Sequence, residues 1–297
     1  MFGPPDDVTD IDVLDAVRRH WLPGATSATH LAVGFGAHHW EIADAGGRRL
    51  FTTLDGSTSR HSAESLEATY AAAAALAGAG VPGVWPPIPS RSGPFTVPLG
   101  RGRLSVTRWL DGRHPSEVES RAVAPLLEVL HRTPPPPGVL EWTAVVDTHL
   151  PARLRARAAV PWTAGPFGEE ARAALVTRLD VIEGWTRQYV ELVRYAQKRR
   201  STWVLTHGEP GPHNQLVTAD GLWLVDWESL MIAPRERDLS GLSWTADLAP
   251  PDELMLELFR LDWRLSEIEV YARQLSGPHT DSVDDRTALG GFLDELG

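Results

Sequence analysis

Trp203-Val-Leu-Thr-His207-Gly-Glu209-Pro-Gly-Pro-His213-Asn214-Gln-Leu-Val217, followed by Leu222-Trp-Leu-Val-Asp226-Trp-Glu228, is the stretch whose reading decides the fold. A short apolar run ends in His-Gly-Glu, and a Pro/Gly-rich loop then sets Asn214 five residues after Glu209. Ala219-Asp220-Gly221 is a hairpin turn signal that returns the chain to Asp226. The pattern predicts that Glu209, Asn214 and Asp226 converge at one end of a small sheet.

Phosphoryl transfer needs those residue types. The protein must orient an acceptor hydroxyl beside a carboxylate and supply oxygen ligands for Mg²⁺ on the nucleotide phosphates. Glu209 suits the first task. Asn214, with a neutral carbonyl oxygen, and Asp226, with an anionic one, form a hard-oxygen pair suited to magnesium rather than zinc. The chain has no cysteine and no HExxH spacing to compete with that reading.

His207-Gly208-Glu209 with Asn214, then Val225-Asp226-Trp227-Glu228, then Ala233-Pro-Arg-Glu-Arg-Asp238-Leu, resembles the catalytic core of the aminoglycoside phosphotransferase family. Arg48 to Asp55 and Leu261 to Glu267 resemble the branch acting on spectinomycin, viomycin or capreomycin. The resemblance implies a two-lobed, α+β, protein-kinase-like fold: a small antiparallel-sheet nucleotide lobe over residues 1–111 and a larger, mainly helical catalytic lobe over 112–297. It implies a small-molecule O-phosphotransferase that uses ATP or GTP with Mg²⁺ on an antibiotic hydroxyl and confers resistance. It also implies that His207 holds the catalytic loop by hydrogen bonds and that Asp238 buttresses it. Two alternatives stay open: a metabolic kinase for choline, homoserine or a sugar, and a non-catalytic nucleotide-binding pseudokinase.

The chain departs from the pattern in two places. Glu209 stands where aspartate is commoner, and Thr52 and Thr53 stand on the third strand where a lysine holds the α- and β-phosphates. Lys198 is the only lysine in the chain. Arg48, Arg49 and Arg60 are the cations at hand, and Glu64 or Glu67 would have lost its usual ion-pair partner. By the same resemblance, Gly34 and Gly36 lie over the phosphates beside Thr53, and Arg108, Trp109 and Leu110 offer backbone groups to the purine.

Composition narrows the function classes. With 297 residues, 42% of them hydrophobic, the chain can bury one large core or two. A net charge of -11 disfavours nucleic acid and anionic membranes as partners and suits a cationic substrate. There is no basic-then-apolar leader and no apolar run long enough to span a membrane, so the expected location is cytoplasmic. The oligomeric state is not encoded in any pattern found.

Periodicity supplies the rest. Asp10 to Arg19, Ser62 to Ala79, Glu169 to Arg200 and Asp252 to Leu275 carry helical apolar spacing, as does a segment starting at Ser116 with Glu119 at its capping-box position. Thr287 to Leu296 adds a last helix. Strands are expected at Leu31 to Gly36, His39 to Ala43, Arg49 to Leu54, Phe95 to Leu99 and Leu104 to Leu110, with a hinge at Asp111-Gly112. Trp85, Trp142, Trp162, Trp185, Trp244 and Trp263 are candidate cleft walls, and Asp247, Asp252, Glu253, Asp262 and Glu267 are candidate ammonium partners; core filling and a solvated helix face are their ordinary uses.

Overall fold

The computed structural model describes residues 1–34, 36–56, 62–242 and 250–297; Phe35, Arg60, Trp244 and Asp247 lie outside them. The chain forms two compact units, residues 1–142 with 203–249 and residues 143–202 with 250–297. The segment 111–112 falls inside the first.

In that first unit, helix α1 (Asp10–His20) starts at a reciprocal cap, with the Asp12 amide on Thr9 Oγ1 and the Thr9 amide on the Asp12 carboxylate. Its buried residues Val13, Ala16 and Val17 lie against a sheet of β1 (Ala25–Leu31), β2 (Ala37–Asp44), β3 (Arg49–Gly56), β4 (Thr96–Leu99) and β5 (Gly102–Arg108). The strands run antiparallel in the order β1-β2-β3-β5-β4. Trp40, Ile42, Leu50, Leu54, Leu104 and Val106 form the buried face with α1. Because side chains alternate along a strand, Phe51, Thr53 and Asp55 fall on the opposite face.

Residues 32–34 and 36, expected in the first strand, lie outside it. The first strand lies earlier, at Ala25–Leu31, where Thr, Ser and His hide it from an apolar pattern; residues 32–34 and 36 form the connection to β2. Gly34 and Gly36 take φ of 71° and 103° there, which a side chain resists.

Helix α2 (Ala63–Gly78) is capped by Ser62, whose Oγ accepts from the Ser65 amide at 3.1 Å. Leu66, Tyr70, Ala73 and Leu76 are buried. Ser116 and Glu119 bond reciprocally, yet the next turn is 3-10, and α3 begins only at Ala124 (Ala124–Arg132). Two small antiparallel pairs complete this unit: β6 (Val204–Thr206) with β9 (Met231–Ala233), and β7 (Gln215–Thr218) with β8 (Gly221–Leu224), followed by the short helix α6 (Glu236–Leu239).

The second unit is helical: α4 (Leu150–Ala158), α5 (Gly168–Gln197), α7 (Glu253–Ser276) and α8 (Val283–Leu296). α5 buries Leu175, Ile182 and Tyr189, and α7 buries Leu258, Leu261, Leu265 and Ile268, two stripes spaced for helix-on-helix packing. Among the candidate ammonium partners, Asp252 caps α7 through the Leu254 amide, Glu253 is exposed and Glu267 is buried. Asp262 accepts the Tyr189 hydroxyl. No helix among the described residues is long and apolar enough to cross a membrane.

Candidate active site

Leu205 is fully buried between its neighbours, and α3 packs against β6, so the end of that strand is a rigid platform. The strand stops at Thr206 because Gly208 turns the chain at φ 103°. His207 is completely buried; its Nε2–H donates to the Val225 carbonyl at 2.9 Å, and its Nδ1 accepts the Glu209 amide at 3.3 Å. Those two partners demand the neutral Nε2–H tautomer. Burial enforces the same state, pushing the ring's pKa down to about 4 from 6.5.

A nitrogen NMR titration is therefore expected to show His207 neutral down to about pH 4. Since the unfolded ring ionises first, His207 withdraws stability as pH falls from about 6.5 towards 4 and leaves it unchanged above that window. A ring that charged near its ordinary value would contradict this hydrogen-bond scheme.

The loop is also held from below. Asp238 accepts the His207 amide at 3.1 Å, the Gly208 amide at 2.6 Å and His131 Nε2 at 2.8 Å. Burial alone would raise its pKa, but His131 and the Gly208 amide outweigh burial and keep the carboxyl below its ordinary value. Arg237 Nη1 donates to Thr206 Oγ1 at 3.1 Å and to the Ser229 carbonyl at 2.9 Å, crossing directly over Gly208. A Cβ on Gly208 would sit 2.5 Å from both Arg237 terminal nitrogens. Gly208→Ala is thus expected to lower stability by about 2 kcal/mol or more, combining left-handed strain with loss of the Arg237 bonds, measured by denaturant unfolding. An unchanged midpoint would refute the clamp.

Glu209, Asn214 and Asp226 are brought together as the sequence spacing predicts. Asn214 ends a 3-10 turn, and its Nδ2–H donates to the Glu209 carbonyl at 3.0 Å, which leaves its side-chain oxygen turned away for another partner. The Asn214 carbonyl accepts the Val225 amide at 3.0 Å, extending the β7–β8 ladder to the residue before Asp226. Asp226 has φ 65° and ψ 64°, the one non-glycine residue with positive φ among the described residues. A left-handed conformation costs about 1–2 kcal/mol, and such strain collects at working sites. Asp226 is an exposed residue of the turn, but the protein atoms crowded round its carboxyl, then Glu228 and Glu209, drive its pKa well above 3.8. No side chain among the described residues ion-pairs with it.

A carboxylate on a strained turn, an amide side chain tied to the catalytic-loop backbone and a loop carboxylate whose charge acts on the first thus share one framework. Residues 27–270 match the phosphotransferase enzyme family, APH. The chain belongs to this family. Protein StrN of Streptomyces griseus is 34% identical over 128 residues, a match spanning 41% of this chain and 39% of that protein. The fold resembles spectinomycin phosphotransferase APH(9)-Ia in its complex with ADP and spectinomycin, at a TM-score of 0.73 and 14% identity over 97% of this chain and 94% of that one. Choline kinase from Cryptosporidium parvum Iowa II is more distant, at a TM-score of 0.50 and 12% identity over 95% and 94% of the two chains.

On β3, Thr53 stands where the resembling pattern carries a lysine. Thr53 Oγ1 lies 3.2 Å from His39 Nδ1, and the His39 ring stacks on Phe51 at 5.0 Å. Burial chiefly holds His39 neutral, with its pKa pushed down to about 4, so neither residue brings a cation. Glu67 accepts the Phe95 and Thr96 amides at 2.8 and 2.7 Å, which ties α2 to β4; Glu64 is exposed. Arg49 is committed to Glu41 at 2.6 Å and Asp111 at 3.1 Å. The Arg108 carbonyl accepts Trp85 Nε1, and the Trp109 amide donates to the Arg49 carbonyl; among the described residues the Trp109 carbonyl and the Leu110 amide have no backbone partner.

Sequence reasoning missed Asp55, Tyr70 and His131. Asp55, at the end of β3, is hydrogen-bonded by the Tyr70 hydroxyl at 3.4 Å and shares a hydrogen bond with Glu228. Burial, then the neighbouring Asp226, drive its carboxyl far above the ordinary range. Glu228, on the turn after Asp226, thus meets Asp55 as a second carboxyl. Tyr70 stands in an alanine-rich helix with no local mark of its role, whereas Asp55 was visible inside Arg48 to Asp55.

Proposed function

We propose that the chain transfers the γ-phosphoryl group of ATP or GTP to a hydroxyl of a small antibiotic of aminoglycoside, tuberactinomycin or nucleoside type, and thereby confers resistance in the cytoplasm. The observation that carries this reading is the placement of Glu209, Asn214 and left-handed Asp226 on one backbone framework locked by His207 and Asp238. The division into a nucleotide lobe over 1–111 and a catalytic lobe over 112–297 belongs to the same proposal.

The donor set fits magnesium. Among the described residues, Asp226 contributes a carboxyl oxygen with no ion-pair partner and Asn214 an amide oxygen with no hydrogen bond, while no group of three His, Cys, Asp or Glu side chains is disposed to hold a metal by itself. Such a short set suits an ion completed by phosphate oxygens. When bound, the ion neutralises charge on the β- and γ-phosphates. Glu209 orients the acceptor hydroxyl and takes its proton, His207 and Asp238 keep the loop in place, and Gly34, Gly36 and Thr53 border the phosphates. The Trp109 carbonyl and the Leu110 amide, next to Arg108, are the groups left for the purine edge.

The bound spectinomycin and ADP of the structural relative favour an antibiotic acceptor, and the net charge of -11 favours a cationic one. A metabolite kinase is the second reading, favoured by the fold shared with choline kinase. A non-catalytic module is the third, favoured by Thr53 at the lysine position. A transfer screen with ATP and GTP separately, Mg²⁺, and panels of antibiotics, choline, homoserine and sugars, read by product mass, separates them. A mass gain of one phosphate on an antibiotic supports the proposal; a gain confined to a metabolite, or none while nucleotide raises the melting temperature, replaces it.

A further inference from the structure

The sheet carries a second recess on the face away from Thr53 and Asp55. Leu50 on β3 pairs with Arg108 on β5, and both alternate with Thr53 and Ser105, so they point to the α1 side of the sheet. Beyond the end of α1 they border a cavity of about 580 Å³ within the first unit. Its apolar floor is Leu22, Leu50 and Ile88, and its walls are the indoles of Trp21 and Trp109.

Both walls are fixed. Trp21 Nε1 donates to the Ile88 carbonyl at 3.1 Å, and Trp109 Nε1 donates to Asp111 at 2.9 Å while the Arg49 guanidinium lies 3.8 Å over its ring. Arg48 and Arg108 also line the cavity, and neither has a side-chain hydrogen bond or ion pair among the described residues. Both are exposed residues, in a chain where 39 acids outnumber 28 basic residues.

We propose that this cavity is a binding site for a phosphate monoester carried on a flat ring, separate from the phosphoryl-transfer site. Two guanidinium forks match the geometry of a phosphate, and their two charges match the dianion that a monoester becomes above about pH 6. Fixed indole walls and an aliphatic floor take the ring, and the volume lies within the range of small-ligand pockets. Nothing in the pocket depends on which hydroxyl the enzyme phosphorylates.

Phenyl phosphate is the probe, titrated calorimetrically into the full chain with AMP-PNP and Mg²⁺ saturating the catalytic side, and beside it inorganic phosphate and phenol as the two halves. The expected result is saturable binding of phenyl phosphate that is tighter than either half, unaffected by AMP-PNP, and weakened about tenfold or more in Arg48→Gln/Arg108→Gln. Should that double variant fold poorly, Arg48→Lys/Arg108→Lys keeps the charge and removes the forks, and it must weaken binding too. Absence of saturation, displacement by AMP-PNP, or equal affinity in a folded double variant would each overturn the assignment.

Discussion

Asp226→Asn is expected to lose about 10³-fold or more of its phosphoryl-transfer rate while its apoprotein melts at a higher temperature than the parent. The loss follows from removing the one anionic ligand oxygen: metal stabilisation of transition-state charge amounts to several kcal/mol, at 1.36 kcal/mol per tenfold. The gain follows from the unliganded protein alone. Burial, then Glu228 and Glu209, raise the Asp226 pKa above 3.8, so across that window the folded chain holds a proton that the unfolded chain has released. Stability accordingly declines as pH rises through the window. Asparagine has no proton to lose, and it tolerates the left-handed backbone that Asp226 adopts.

The advantage of the variant should vanish near the ordinary carboxyl value and grow with pH, which melts between about pH 5 and 8 without metal would follow. Each kcal/mol moves the midpoint by about 2–4 °C in larger domains. Magnesium with nucleotide should raise the parent's midpoint and leave the variant's nearly still. A variant that melts lower at every pH, or keeps more than about a tenth of the rate, would remove Asp226 from the centre of the site.

How much of this was legible in the sequence depends on how local each signal is. Glu209, Asn214 and Asp226 were legible because turn chemistry alone joins them: a Pro/Gly loop and a two-residue hairpin leave little freedom in where they meet. The helices from Glu169 and Asp252 were legible because one face of each is apolar over many turns. Strand β1 was not, since Ala25–Leu31 is rich in Thr, Ser and His and its register is set by pairing with β2. The α4 helix at Leu150–Ala158 was hidden by its arginines. The Asp55–Tyr70–Glu228 contact joins β3, α2 and the turn after Asp226, three segments with nothing in common along the chain. Likewise, Arg48 and Arg108 face one cavity only because β3 and β5 are neighbours in the sheet.

Glu209→Gln is expected to lower kcat by about 10²–10⁴-fold with little change in the acceptor KM, the range a positioned proton acceptor contributes. Glutamine keeps the length and one hydrogen-bonding oxygen but cannot take the proton. Glu209→Asp tests the geometry instead. Aspartate is the commoner residue of the resembling pattern, yet it is one methylene shorter, which withdraws the carboxylate by roughly 1.5 Å. The main chain is not free to follow, because the Glu209 amide is held by His207 Nδ1 and its carbonyl by Asn214 Nδ2. A misplacement near 1 Å can cost about 10²-fold. The aspartate variant should therefore be impaired by about that factor here, and pairing it with a loosened loop, as in Asp238→Asn, should not restore it to the parent rate. Steady-state kinetics on the acceptor found by the transfer screen decides between the two causes: a fully active Glu209→Asp means that the loop adjusts and chain length is immaterial, and a Glu209→Gln within tenfold of the parent means that another group receives the proton.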